Sequence, residues 1–472
     1  MQLNELPMET FENFIAQLDN ILWTYILIVV LLGCALLFTL RSRFVQFRMI
    51  KDMVRLLVKP ERRPADGMKH ISSFQAFVVS LASRIGTGNL AGVATAISIG
   101  GPGAVFWMWV IALFGSSVAF VESTLAQLYK RKTRESFLGG PAYYMKYGLG
   151  KGWLGVIFAV LMIITFGLSY SSIQSNTICE AWEKAFGVDH VLMGVILTVL
   201  SLFTVFGGIQ RVAKVSSAIV PFMAVAYILL ALGILLWNVT LIPNVIATIV
   251  GSAFGYHQAA AGAIGAAVMQ GIKRGLFSNE AGEGSTPHAA ATATVSHPVK
   301  QGLIQALGVF TDTLVVCSCT AFIILVSGAD YTSSNGIQLT QDAISSQVGS
   351  VGDPFIAVLI WMFAFSSIIG NSYYGEANVR YITSKPAGLF AYRLCVGAIV
   401  MLGSLLSLKT VWAIGDVTMA LITLCNIIAI VPLSPQAFRL LKDYQRQKRE
   451  GKNPEFHKSQ MPDIADRLEA WD

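Results

Sequence analysis

The chain has 472 residues, 54% of them hydrophobic and only 13% charged, well below the roughly 25% charged fraction of soluble domains. That composition excludes a soluble enzyme or binding domain and points to a protein that crosses the bilayer many times. The net charge of +7 does not call for a nucleic-acid partner, because its placement follows membrane topology.

Apolar runs long enough to span, which takes roughly 20 residues, fall at 21–40, 71–99, 102–128, 152–178, 190–207, 215–237, 257–294, 302–327, 354–378, 388–408 and 411–433. Eleven spans leave the segments on one side with 29 of the 34 Lys and Arg, and those on the other with only Lys184 and Lys409. The positive-inside rule then places the N-terminus outside and the C-terminus in the cytoplasm of a cell (inner or plasma) membrane. Residues 1–20 are an acidic extracytoplasmic segment without the basic start of a cleavable signal. The six cysteines lie mostly within apolar runs and read as packing residues.

After the leading span 21–40, the basic loop 41–70 contains Phe44 to Lys59, where apolar and cationic residues interleave as in an interfacial helix. The span 71–99 is then interrupted at its centre by Arg84-Ile85-Gly86-Thr87-Gly88-Asn89. Glycine leaves a helix cheaply, and backbone unwound at that depth survives only inside protein or around a cavity. Freed N–H groups at Thr87 and Gly88 suit a carboxylate. Freed carbonyls near Ala82 and Ile85 suit a hard cation such as Na+, to which the Asn89 amide oxygen could add. Span 152–178 ends in Gln174-Ser175-Asn176, amides that either meet an amino acid's polar groups or hold helices together.

Residues 238–256 form an external connector with a short helix or loop, and 257–433 repeats the plan of 71–237: five spans, the first broken. The second break runs from Gly275 to Ser285 through Phe277, Glu280 and Glu283. Five being odd, the halves are expected to lie inverted in the bilayer, the layout of secondary transporters with a midplane site. Arg84, Lys273, Arg274, Glu280 and Glu283 are candidates for ion pairs that gate or brace the breaks. In span 354–378, Ser366 and Ser367 follow Phe363 by one turn, so two hydroxyls and a carbonyl either meet a cation or bond within their own helix. Asn371, Tyr374 and Glu376 add polarity to the same span. The tail 434–472 reads as solvated and cytoplasmic.

No Gly-x-x-x-x-Gly-Lys-Ser/Thr or His-Glu-x-x-His is present, so neither ATP nor metal-hydrolase chemistry is expected. A membrane enzyme is the rival from another class, and a channel is the second.

The runs Arg84-Ile85-Gly86-Thr87-Gly88-Asn89-Leu90-Ala91-Gly92, Gly100-Gly101-Pro102-Gly103-Ala104-Val105-Phe106-Trp107 and Gly275-Leu276-Phe277-Ser278-Asn279-Glu280-Ala281-Gly282 resemble the alanine or glycine:cation symporter family over nearly the whole chain. The resemblance implies an all-α polytopic fold of 11 transmembrane helices, a leucine-transporter-like core of inverted five-helix repeats plus one leading helix. It further implies import of alanine or glycine driven by Na+, in some members by H+, and a functional monomer. By resemblance Thr87 and Gly88 hold the substrate carboxylate, Gln174 and Asn176 lie near the substrate, and Phe277 shapes a small side-chain pocket. The Ser366 and Ser367 hydroxyls, with the Ala82 and Ile85 carbonyls, bind Na+. Glu283 departs from the family's usual apolar residue there and bears on cation preference.

Overall fold

A computed structural model describes residues 5–59, 70–133, 136–255 and 261–471; residues 60–69 of the basic loop and 257–260 of the seventh expected span lie outside them. Helix α1 runs over Glu5–Ile21, through a π turn at Leu22–Leu27, into Ile28–Arg41. The chain turns through two left-handed residues, Arg43 and Phe44, into α2, Ile50–Val58. A capping box between Ser72 and Gln75 starts α3, Ser73–Arg84. Ile85 leaves helical geometry, and α4 resumes over Gly88–Gly100.

Beyond the Gly101-Pro102 corner, α5 (Gly103–Leu128) is buried without interruption from Gly115 onward. A short hairpin, Arg131–Lys132 with Phe137–Leu138, leads to α6 (Gly152–Phe186), α7 (His190–Val205), α8 (Gly208–Trp237) and the short α9 (Ile242–Ala253). The second half has α10 (Ala261–Asn279), α11 (Thr286–Thr292), α12 (Pro298–Ser327), α13 (Gly336–Val348), α14 (Gly352–Ile382), α15 (Pro386–Leu405) and α16 (Leu408–Arg449).

Eight helices among the described residues are long and apolar enough to cross a membrane. The other three expected spans appear as the broken pairs α3/α4 and α10/α11 and as the 16-residue α7. The core lies where α5 packs against α10 and α12, and where α14 packs against α3, α6 and α8. Val195, Val199 and Phe203 on α7, and Phe222, Val225, Leu229 and Leu236 on α8, point outward as lipid-facing surface would.

The polar stretch after α12, free of Lys and Arg, is structured. It folds into α13, whose Thr340 hydroxyl donates to the Leu90 carbonyl and whose Gln341 amide donates to the Ala181 carbonyl, so it covers the first break. At the start of α5, Phe106 and Trp107 pack on Phe254 beyond α9. The tail beyond α16, exposed over most of its length, is nevertheless docked by a few side chains. Phe456, Met461, Ile464, Leu468 and Trp471 are buried, and the Trp471 indole donates to the Gln127 carbonyl at 3.1 Å. Each large apolar residue is separated from the next by polar or charged residues, so composition concealed the docked face.

Candidate functional site

The first break is held open by side chains that replace lost helix bonds. The Gly86 N–H donates to Asn89 Oδ1 at 2.9 Å, and Thr87 donates both its N–H and its hydroxyl to Gln174 Oε1, at 2.9 and 2.6 Å. An amide oxygen therefore stands where a substrate carboxylate oxygen would accept from Thr87. A side chain at Gly86 would put its Cβ 2.2 Å from Ser367 Oγ and 3.0 Å from Gln174 Oε1, so only glycine lets α14 and α6 close on the unwound turn.

Next to this turn the expected oxygens converge. Ser367 Oγ lies 2.9 Å from the Ala82 carbonyl, 3.1 Å from those of Ser83 and Phe363, and 3.5 Å from that of Ile85. Ser366 Oγ lies 2.9 Å from the Phe363 carbonyl and 3.5 Å from that of Ala82. A hydroxyl has one proton to donate, so most of these oxygens turn uncommitted lone pairs to one spot. The set is all oxygen and fits a hard cation. The same bonds include the back-bonding within α14 that the spacing left open.

The second break spans residues 280–285 between α10 and α11. Glu280 takes a left-handed φ of 55°, and its carboxylate accepts from the Ser83 and Ser285 hydroxyls, each at 2.5 Å. Ser83 also reaches Asn371 Oδ1 at 2.6 Å, so one carboxylate joins α3, the second break and α14. Phe277 lies over the first break, with its Cδ1 3.1 Å from where a Gly88 Cβ would stand. Its ring meets Tyr170 at 4.8 Å and Trp412 at 4.7 Å between centroids. These aromatics form one cluster packed over Gly88. Glu283 Oε2 accepts from the Tyr170 hydroxyl at 3.1 Å, while Oε1 has no partner among the described residues.

Other residues lie elsewhere than expected. Asn176 donates to the Gly403 and Leu406 carbonyls at the end of α15. Two residues on from Gln174, it stands about 200° round the helix and faces away from the break. Lys273 and Arg274 do not pair with Glu280 or Glu283. Arg274 grips Asp416 through two contacts of 2.8 Å, and Lys273 reaches Asp416 at 3.2 Å and Asp19 at 2.8 Å. The reason is directional, since 273 and 274 lie more than a turn before Asn279, toward the starts of α10 and α16. Arg84, 1% exposed, donates to the Gln305 carbonyl and the Thr286 hydroxyl at 3.1 Å and has no carboxylate in direct contact among the described residues.

Sequence reasoning passed over Asp312. This carboxylate, fully buried in α12, accepts from Asn89 Nδ2 at 2.6 Å and from the Ser278 and Thr313 hydroxyls at 2.8 Å, linking both breaks. A carboxylate within an apolar span was the available signal. Glu122 in α5 was passed over too; it is fully buried, accepts from Asn426 at 2.8 Å and from the Gly282 N–H at 3.2 Å, and braces the second break.

A family model described as the sodium:alanine symporter family matches residues 8–458. The chain is 49% identical over 464 residues to the probable sodium/glutamine symporter GlnT of Bacillus subtilis, covering 98% of this chain and 96% of that one. It is 48% identical over 467 residues to the amino-acid carrier protein AlsT of the same organism, with coverage of 98% and 99%. Among solved structures, MhsT in complex with L-phenylalanine superposes with a TM-score of 0.53 at 15% identity, over 84% of this chain and 93% of that one, a likeness of fold of the leucine-transporter type. The chain belongs to the sodium:alanine symporter family and is a multi-pass membrane transporter, not an enzyme, that carries an amino acid together with a cation.

Proposed function

We propose that the chain imports a small neutral amino acid, alanine or glycine, by symport with Na+, acting as a monomer in the inner or plasma membrane with its N-terminus outside and its tail cytoplasmic. The observation that carries this reading is the convergence of the Ala82, Ile85 and Phe363 carbonyls with the Ser366 and Ser367 hydroxyls, directly beside the Thr87 turn. Na+ among those oxygens would sit next to the substrate carboxylate at Thr87 and Gly88, and each would neutralise the other in a medium where lone charges are costly. Phe277 pressed over Gly88 supports a substrate with little or no side chain. Asp312, fixed by Asn89 and Ser278, supplies negative charge for a cation between the breaks.

A second reading, H+ in place of Na+, draws on Glu283, a buried carboxylate with one oxygen lacking a partner among the described residues. Two broken helices in opposed halves favour saturable alternating access over a channel.

The test is uptake of labelled alanine, glycine and glutamine into liposomes under an imposed Na+ gradient, a K+ gradient or a pH gradient. Saturable accumulation of alanine or glycine driven only by Na+ is expected. Accumulation driven by the pH gradient alone would favour the Glu283 reading, and preferential accumulation of glutamine would overturn the substrate assignment.

A further inference from the structure

We propose that the cleft between the α1–α2 corner and the end of α16 binds the phosphate-bearing headgroup of an anionic phospholipid. The cleft is a cavity of about 650 Å³ lined by Arg43, Arg48, Lys448 and Arg449 with a single carboxylate, Asp52. Lys448 already engages Asp52 and thereby ties α16 to α2. Arg43, Arg48 and Arg449 are left with no carboxylate partner among the described residues. Three uncompensated cations around one cavity match a phosphodiester, which guanidinium groups grip with paired N–H donors.

The arrangement is built rather than loose. Arg43 and Phe44 take left-handed φ values of 55° and 59°, a conformation rare outside glycine. The Arg48 guanidinium holds that corner by donating to the Ser42 carbonyl at 3.1 Å and to the Arg43 carbonyl. This fixes one cation at the cavity edge.

Depth and polarity identify the source of the anion. The corner follows Arg41, the last residue of an apolar helix, so it lies at headgroup level. From the same corner and along α2, Phe44, Phe47, Ile50 and Val54 are each 43–49% exposed. A lipid satisfies both features, phosphate in the cavity and acyl chains along the apolar row; a soluble anion uses only the first. An adjoining cavity of about 750 Å³ shares Asp52 and Lys448 and extends to Thr294–Ser296, just beyond α11.

The test places the purified full-length chain in phosphatidylcholine nanodiscs with or without phosphatidylglycerol, and measures retained lipid by native mass spectrometry together with the melting temperature. The protein is expected to retain phosphatidylglycerol selectively and to melt higher with it. Arg43→Gln with Arg449→Gln should lower that retention by roughly tenfold or more, while Lys151→Gln, on an exposed residue away from the cleft, should leave it unchanged. Arg43→Lys with Arg449→Lys keeps the charges but not the paired donors, and should retain more of the lipid than the Gln pair though less than the parent chain. Undiminished retention by a well-folded Gln pair, equal loss in the Lys151 variant, retention by the Lys pair no better than by the Gln pair, or the same melting shift from inorganic phosphate in phosphatidylcholine discs would each overturn the proposal.

Discussion

Ser366 and Ser367 make the residue-scale test of the cation site, because each hydroxyl contacts both its own helix and the last turn of α3 before the break. Replacing both with Ala removes two oxygen ligands and leaves the backbone of α14 intact. Each hydroxyl contributes about 1 kcal/mol as a hydrogen-bonding group, so the Na+ concentration for half-maximal uptake should rise roughly tenfold or more, with apparent substrate affinity at saturating Na+ little changed. Unaltered Na+ dependence in liposome uptake would remove the pair from the site. Gln174 makes a different point. Its amide oxygen occupies both Thr87 donors, so a carboxylate binding there must turn Gln174 aside. Its sequence position gave the residue but not this competition, which depends on α6 meeting the break at that height.

At the scale of elements, the breaks were legible and the partners of their flanks were not. Glycines and polar residues within apolar runs marked both interruptions. The pairing of Arg274 with Asp416, 142 residues away, has no local pattern to betray it, and Asp312 hid inside an otherwise ordinary span. The tail misled because its charges outnumber its apolar residues, although the latter are the ones that dock. Asp443, on the part of α16 beyond its apolar run, orients Gln447 at 2.7 Å, and Gln447 in turn holds Glu455 at the start of the docked tail. The hydrogen bond with His297 is the main cause holding the Asp443 carboxyl below its ordinary value of 3.8. Its stabilisation is therefore present above that value and lost as pH falls through the lowered one. Asp443→Asn should make tryptic cleavage at Lys452 and Lys458 severalfold faster at neutral pH, and the difference should shrink in acid, read by hydrogen exchange since trypsin fails there. Equal cleavage at neutral pH would mean that Asp443 does not anchor the tail.

For the whole molecule, the Asp19–Lys273–Asp416–Arg274 cluster joins α1, α10 and α16 at the end opposite the docked tail. Breaking a buried pair costs about 3–5 kcal/mol, comparable to or larger than the few kcal/mol that separate alternate conformations of many proteins. Asp416→Asn should therefore shift the population toward opening at that end. A cysteine placed at Phe277 in a cysteine-free background should then react faster with a membrane-impermeant maleimide added from that side, and an unchanged rate would show that the cluster does not hold the end shut. The left-handed turn at Glu280 and the positive φ of 101° at Gly282 and 77° at Gly284 have a mechanical corollary. Three of five consecutive residues are wound against the hand of an α-helix, with Glu280 pinned to two serines, so α10 and α11 do not fuse into one rod. The two half-helices therefore meet at a permanent joint, about which each can tilt without first unwinding.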